Sequence, residues 1–241
     1  MNMKNVKAMS IPDGTVKKIE DANGNIIWGS YDAFPYRRLE YVHFNGNDYI
    51  STSFTPWDNF GFYLDIQFDA NQTGQFNGHG KVVSNNRAFI GTEGGGKVMY
   101  GSGQVSASVS NSNVYERHTY QVNTSSSTNG KFYIDGTQVA TFSSYYQQTN
   151  RGTMFVGGVY RNTGEYSLCR EKVYNVKFIN NVSSASPTVA WNFIPAQRKS
   201  DGAIGFYNIK SSGDPVFLTS VNGLLEAGPV ADEYWDLTAP A

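Results

Sequence analysis

Residues 60–69 alternate between apolar and polar side chains, and this two-residue period constrains the fold more than any other feature of the sequence. Four apolar side chains are predicted to face one way and four polar ones the other: Phe62, Leu64, Ile66 and Phe68 against Tyr63, Asp65, Gln67 and Asp69. Such alternation is typical of a strand with one buried face. Further short segments of this kind follow, with Gly-rich turns and no helical period. The sequence therefore predicts an all-β fold, an antiparallel two-sheet sandwich of jelly-roll type.

Two short dipeptides predict β-hairpin turns, because both of their residues tolerate positive φ. They are Asn23-Gly24, between residues 16–20 and 25–28, and Asp135-Gly136, between residues 130–135 and 137–142. The first hairpin is followed by a short linker that ends at Pro35. We therefore expect three units: an N-terminal hairpin anchor and linker over residues 1–36, a sandwich over 37–228, and a polar C-terminal tail over 229–241.

Individual side chains can also be assigned to faces of the expected strands. In residues 171–180, the period predicts that Tyr174, Val176 and Phe178 share one face. Six large apolar side chains near the two ends of the sandwich are predicted to be core or sheet-joining residues: Tyr41, Phe44, Ile50, Trp191, Phe193 and Ile204.

The composition excludes several classes of function. Net charge is -1 and only 16% of residues are charged, so there is no basic footprint for nucleic acid. No segment is apolar enough to insert in a membrane, and residues 1–10 are not a signal peptide, so we expect synthesis in a cytoplasm. Cys169 is the single cysteine, which rules out an intrachain disulfide and predicts a buried small side chain.

Catalytic and metal sites find little support in the sequence. Asp65 and Asp69 are the nearest approach to a glycosidase carboxylate pair, but four strand residues separate their backbones by roughly 13 Å. We read them as solvent-facing residues and expect no enzyme activity and no cofactor. The three histidines, His43, His79 and His118, are dispersed and are predicted to be structural. Oxygens near Asn45-Gly46 (those of Asn45, Asn47 and Asp48) could ligate calcium, although a plain turn is the preferred reading.

Two blocks frame the alternating region. The first is Leu39-Glu40-Tyr41-Val42 with Tyr49-Ile50-Ser51-Thr52, and the second runs from Phe193-Ile194-Pro195-Ala196 through Arg198 and Asp201-Gly202 to Gly205-Phe206-Tyr207-Asn208. These blocks resemble those of concanavalin A-like (laminin-G-like) modules in structural proteins of tailed phages and prophages of gut bacteria. The chain departs from that pattern at Ser51 and Asn208, where Asp is usual, which weakens any metal-carboxylate role there.

The resemblance implies a virion or prophage-encoded surface protein with a lectin-like sandwich. On this basis we expect a phage decoration or head or tail fibre protein, located in the virion, that adheres to host-surface or mucus glycans. The N-terminal segment would contact other virion proteins, and the protein would act as a homo-oligomer or multi-copy assembly. Two alternatives stay open: a purely structural capsid or tail interaction module, and a glycan hydrolase with an unrecognised carboxylate pair.

Exposed aromatic side chains beside polar ones are the preferred candidates for sugar binding, since aromatic faces stack on sugars while amides and carboxylates bind hydroxyls. Three loops carry them, and the candidate residues are Trp57, Asp58, Tyr145, Tyr146, Gln147, Tyr160 and Arg161. Candidates for assembly or anchoring lie outside the sandwich and are Ile19, Ile26, Ile27, Trp28, Tyr234 and Trp235.

Overall fold

The computed structural model describes residues 6–10, 18–21, 26–29, 35–52, 54–55, 59–70, 76–81, 84–94, 96–102, 105–111, 113–124, 130–142, 153–160, 166–209 and 217–231. These residues form the following strands: β1 (Val6–Ser10), β2 (Lys18–Asp21), β3 (Ile26–Gly29), β4 (Tyr36–Arg38), β5 (Val42–Asn45), β6 (Ile50–Ser51), β7 (Phe60–Phe68), β8 (Phe76–Lys81), β9 (Ser84–Gly94), β10 (Lys97–Ser102), β11 (Val105–Ser110), β12 (His118–Thr124), β13 (Gly130–Ile134), β14 (Thr137–Phe142), β15 (Phe155–Val156), β16 (Gly158–Tyr160), β17 (Tyr166–Leu168), β18 (Arg170–Asn180), β19 (Thr188–Arg198), β20 (Ile204–Asn208), β21 (Phe217–Thr219) and β22 (Glu226–Ala227).

Two antiparallel sheets make up the sandwich in the described part of the chain. The small sheet has the order β11-β10-β9-β8-β15-β6. The large sheet has the order β14-β13-β12-β7-β18-β19-β20-β21, with β5 also paired to β18, β22 to β5, and β4 to β19. This arrangement confirms the predicted all-β, antiparallel two-sheet sandwich of jelly-roll type. No helix in the described residues is long and apolar enough to cross a membrane.

A sheet of its own lies at the N-terminus. Strand β2 pairs with β3, which confirms the predicted hairpin, and β1 adds a third strand on the other side of β2. The turn residues Asn23 and Gly24 lie outside the described residues. The predicted boundaries at residues 36 and 228 stay predictions.

The core lies between the two sheets and is rich in aromatic rings. Phe62, Leu64, Ile66 and Phe68 of β7 are all buried, while the polar residues between them are half-exposed, which confirms the predicted alternation. Across the core, Tyr100 of the small sheet stacks on Phe132 of the large sheet with ring centroids 4.2 Å apart. Large rings suit this position because each buries much apolar area against the opposite pleated surface.

The hairpin between β13 and β14 forms as predicted. Asp135 and Gly136 have φ of 49° and 75°, the left-handed values that a two-residue turn of type I′ requires. The Asp135 carboxylate accepts hydrogen bonds from the Thr119 backbone N–H at 2.8 Å, and the His118 ring lies 2.7 Å from its other oxygen. The turn is therefore joined to the start of β12.

The predicted face of Tyr174 is wrong, and the cause is a β-bulge. The register between β18 and β7 shifts between Val173 and Asn175, so Tyr174 is an extra residue that has no partner position on β7. Val173 and Val176 are both buried, whereas the Tyr174 hydroxyl donates to Gln67 on the opposite face of the sheet. Among the predicted core residues, Tyr41 is also misplaced, because its ring packs edge-on against Tyr174. Phe44, Ile50 and Phe193 are buried, and Trp191 and Ile204 pack against the core.

A buried carboxylate joins the opening block to a distant part of the chain. Asp48 is 0% exposed, and its two oxygens accept backbone N–H groups from Tyr49 at 2.8 Å, Asn222 at 3.0 Å and Leu224 at 2.7 Å. These three hydrogen bonds use both oxygens of the Asp48 carboxylate within the fold. They agree with the predicted turn at residues 45–48 and give the carboxylate a structural role. Cys169 is fully buried, as predicted, and burial raises the pKa of its thiol well above the ordinary value.

Candidate functional site

Eight of the predicted site residues lie in parts of the chain that the structure does not describe. Trp57, Asp58, Tyr145, Tyr146, Gln147, Arg161, Tyr234 and Trp235 lie outside the described residues. The backbones of Tyr160 and of Ile19, Ile26, Ile27 and Trp28 are described, in strands β16, β2 and β3, but their side chains are not. All these assignments stay predictions.

The outer face of the large sheet is the candidate site that the described residues support. We define the outer face as the surface of β14, β13, β12, β7, β18 and β5 that points away from the core. Its side chains on β7 are Tyr63, Asp65 and Gln67, each half-buried. The face is broad because these strands are hydrogen-bonded side by side.

Five polar or aromatic side chains cross this face in one line, here called the tyrosine row. The strand register pairs Gln138 with Tyr133, Tyr133 with Gln121, Gln121 with Tyr63, and Tyr63 with Lys177. Residues that are direct partners across strands project from the same face, one strand spacing apart. Five strands at ~4.8 Å give the row a length of roughly 19 Å.

The two tyrosines of the row have different surroundings. The Lys177 ammonium lies 5.2 Å from the centre of the Tyr63 ring, a cation–π contact. Burial raises the pKa of the Tyr63 hydroxyl, and the nearby Asp65 carboxylate adds to the effect. Tyr133 is half-exposed, and within the described residues its ring has no aromatic or cationic partner. Tyr133 therefore offers a ring that no described cation covers, unlike Tyr63.

Beside the row, a compact group of side chains forms around Arg117. Its guanidinium makes two 2.8 Å hydrogen bonds to the Asp65 carboxylate and lies 3.8 Å from the centre of the Tyr174 ring. The hydrogen bond to Asp65 raises the pKa of Arg117. Tyr174 in turn packs against Tyr41, whose ring has the Lys172 ammonium 5.0 Å from its centre. These contacts hold the side chains in fixed positions, since a two-point Arg–carboxylate pair has a defined geometry.

The two aspartates that the sequence offered as a carboxylate pair are bound separately. Asp65 is bound by Arg117, and Asp69 lies 3.1 Å from Nε2 of His43. His43 also contacts Glu226 through Nδ1 at 2.8 Å, and this hydrogen bond lowers the pKa of the Glu226 carboxyl. The structural reading of His43 and His118 is thus confirmed, while the His79 side chain lies outside the described residues.

A metal site is not evident on this face or elsewhere in the described residues, where no three His, Cys, Asp or Glu side chains are grouped to hold an ion. Asp48 is used by three backbone N–H groups. Asn208, where the resembling modules carry Asp, is 3% exposed and accepts a hydrogen bond from the Asn192 backbone N–H at 3.0 Å. The amide therefore has a structural role.

Comparison with known proteins finds likenesses among solved structures only. No family model matches the chain, and no curated protein matches it. Among solved structures it is similar to the mouse laminin alpha1 chain, domains LG4-5, at 13% sequence identity and a TM-score of 0.49. The match covers 74% of this chain and 48% of that one, so the chain spans about half the length of that structure.

The tyrosine row is not predicted by the sequence, although the alternation of its strands is present there. The alternation in residues 130–134 places Lys131 and Tyr133 on one face, as residues 60–69 do for Tyr63 and Asp65. The pairing of Tyr133 with Gln121 and of Gln121 with Tyr63 depends on the register between strands that are distant in the chain. Alternation within one strand does not contain that information.

Proposed function

We propose that this protein is a non-catalytic adhesion module that binds glycans through the tyrosine row. The row itself is the observation that carries the proposal. It presents two tyrosine rings, two primary amides and an ammonium group along roughly 19 Å of open sheet. Rings stack on the apolar faces of sugars, and amides both donate to and accept from hydroxyl groups.

The shape of the face favours an extended ligand over a small molecule. The row crosses five neighbouring strands, and its members are half-buried or exposed. An oligosaccharide lying across the strands would contact several members at once. Each contact is weak, so useful binding would depend on many copies, and multivalency can raise avidity by about 10²–10⁴.

The setting we propose is a phage or prophage virion, in which the sandwich is displayed as a decoration or fibre protein. This rests on the resemblance of the two framing blocks, together with the separate N-terminal sheet formed by β1, β2 and β3. That sheet and the linker after it would attach the module to other virion proteins, with Ile19, Ile26, Ile27 and Trp28 as the candidate contacts. Detecting the full-length protein on purified particles, and its loss after Trp28→Ala, would support this setting. Its absence from particles would refute it.

The binding proposal is tested with a glycan array and with immobilised mucin, using the full chain and a Tyr133 series. Tyr133→Ala should weaken binding about tenfold, as expected for loss of an aromatic contact within a binding surface. Tyr133→Phe should retain most of it, because the ring remains. Tyr41→Ala serves as the matched control, since Tyr41 lies on the same face outside the row.

Two results would refute the proposal. If no glycan binds, the purely structural alternative is favoured. If Tyr133→Ala binds as well as the wild type while thermal melts show both folded, the ligand does not use the row. Release of reducing sugar by the wild-type protein, abolished by Asp65→Asn or Asp69→Asn, would instead support the hydrolase alternative.

A further inference from the structure

The charges of the outer face are distributed unevenly. Four acidic side chains on or beside it contact a basic side chain: Asp65 contacts Arg117, Asp69 and Glu226 contact His43, and Asp135 contacts His118. These pairs lie on the side of the tyrosine row where β7 ends and β12 begins. The Arg117 guanidinium neutralises the Asp65 charge at short range, whereas Asp69, Glu226 and Asp135 contact histidine rings, which are charged only when protonated.

Lysines in and beside the row are placed differently. Lys177 is the last member of the row, and Lys131 is two residues from Tyr133 on the same face of β13. Neither lysine makes an ion pair with another residue in the described part of the chain. The Lys177 ammonium contacts the Tyr63 ring. Lys131 is exposed and Lys177 half-exposed, so both ammonium groups can reach a ligand.

The register gives the distance between them. Lys131 pairs with Asn123, Asn123 with Gly61, and Gly61 with Ile179, which lies two residues from Lys177. Three strand spacings and two residues of rise separate the two Cα atoms by roughly 16 Å. Gln121, Tyr63 and Tyr133 lie within or beside this interval. An extended chain that contacts the row can therefore meet a positive charge near each end.

From this arrangement we propose that the row selects acidic glycans, with carboxylate or sulfate groups of the sugar chain bound by Lys131 and Lys177. This inference rests on the proposed glycan-binding function and narrows its ligand class. The neutral part of the row would bind the sugar rings, and the two lysines would provide charge complementarity. Because the lysines are solvent-accessible, each contact is individually weak and sensitive to salt.

The experiment measures binding of the full-length protein to one mucin preparation in four forms: native, sialidase-treated, desulfated, and treated in both ways. The underlying sugar chains stay the same, so the arms separate carboxylate from sulfate as the source of charge. We expect the doubly treated mucin to bind about fivefold more weakly than native mucin, with the loss in one arm identifying the anion. Raising salt from about 50 to 200 mM should weaken binding to native mucin only.

Variants test whether the selectivity for acidic glycans depends on the two lysines. The double variant Lys131→Gln/Lys177→Gln should bind native and doubly treated mucin equally. The control Lys97→Gln, at an exposed position of the small sheet, should keep the preference for native mucin. Equal binding of all four mucins by the wild type would overturn the acidic selectivity and leave the glycan function standing. No binding to any form would overturn both. An unchanged preference in the double variant would overturn the role of the two lysines.

Discussion

Asp48 offers the sharpest test of how the two ends of the sandwich are joined. Its carboxylate is fully buried, and it accepts three backbone N–H groups at 2.7–3.0 Å, two of them from residues 222 and 224. We expect Asp48→Ala to reduce the free energy of unfolding by more than any exposed acidic substitution. The reason is that the backbone donors would lose a charged acceptor that water replaces only in part.

The size of the effect follows from those contacts. A hydrogen bond to a charged group contributes about 1.5–3 kcal/mol, and three would give about 4.5–9 kcal/mol if every donor stayed dry. Asn222 and Leu224 are exposed residues, so water can reach their N–H groups after the substitution. We therefore expect a loss of about 3–5 kcal/mol, which is a large fraction of the stability of a typical domain. In a chain of this size, such a loss lowers Tm by about 6–20 °C.

Urea denaturation followed by tryptophan fluorescence and far-UV circular dichroism would measure the change, with m-values compared to confirm a like-for-like transition. Asp48→Asn should give a smaller loss, because one acceptor oxygen remains while the amide group opposes a backbone donor. Asp201→Ala is the control, since Asp201 is exposed and pairs with Arg198, and it should change stability far less. A loss below about 1 kcal/mol for Asp48→Ala would refute the reasoning.

Two further predictions concern the turns and the close contacts of the sandwich. For Asp135, burial favours a higher pKa, but hydrogen bonds from Thr119 and His118 outweigh it and lower the pKa below the ordinary 3.8. This stabilisation is therefore complete above about pH 4 and is lost as pH falls through the lower folded-state pKa. Asp135→Asn, which suits the turn, should lack this pH dependence in urea titrations between about pH 2 and 6. The same change of unfolding free energy with pH in the wild type and the variant would contradict the prediction. Gly157 has φ of 79°, and an added Cβ would collide with the Phe44 ring, so Gly157→Ala should cost about 3 kcal/mol or more in thermal or urea unfolding. Gly136→Ala is the control with φ of 75° and open space around it, and an equal loss in both would exclude the contact with Phe44 as the cause.

Local sequence patterns predicted much of the framework. The two-residue period of residues 60–69 placed the buried and exposed faces of β7 correctly, because side-chain direction alternates within any strand. Asp135-Gly136 predicted its hairpin, since the two residues tolerate the positive φ that the turn requires. Burial of Cys169 also followed from residue type alone.

Other features had no local signal. A single extra residue at Tyr174 reversed the face of that ring, and a β-bulge depends on how β18 pairs with β7 rather than on the sequence of β18. The sequence around Asp48 predicts a turn only. Its carboxylate accepts hydrogen bonds from the N–H groups of Asn222 and Leu224, which are more than 170 residues away in the chain.

The sequence by itself determined that this protein is an antiparallel β-sandwich, which side chains alternate along β7, and where the chain turns between β13 and β14. These properties depend on neighbours within a few residues, for which backbone sterics and side-chain type are sufficient. The tertiary structure alone decided which strands are adjacent and in what register. Only that register brings Tyr133, Gln121, Tyr63 and Lys177 into one row, and it therefore created the surface for which we propose glycan binding.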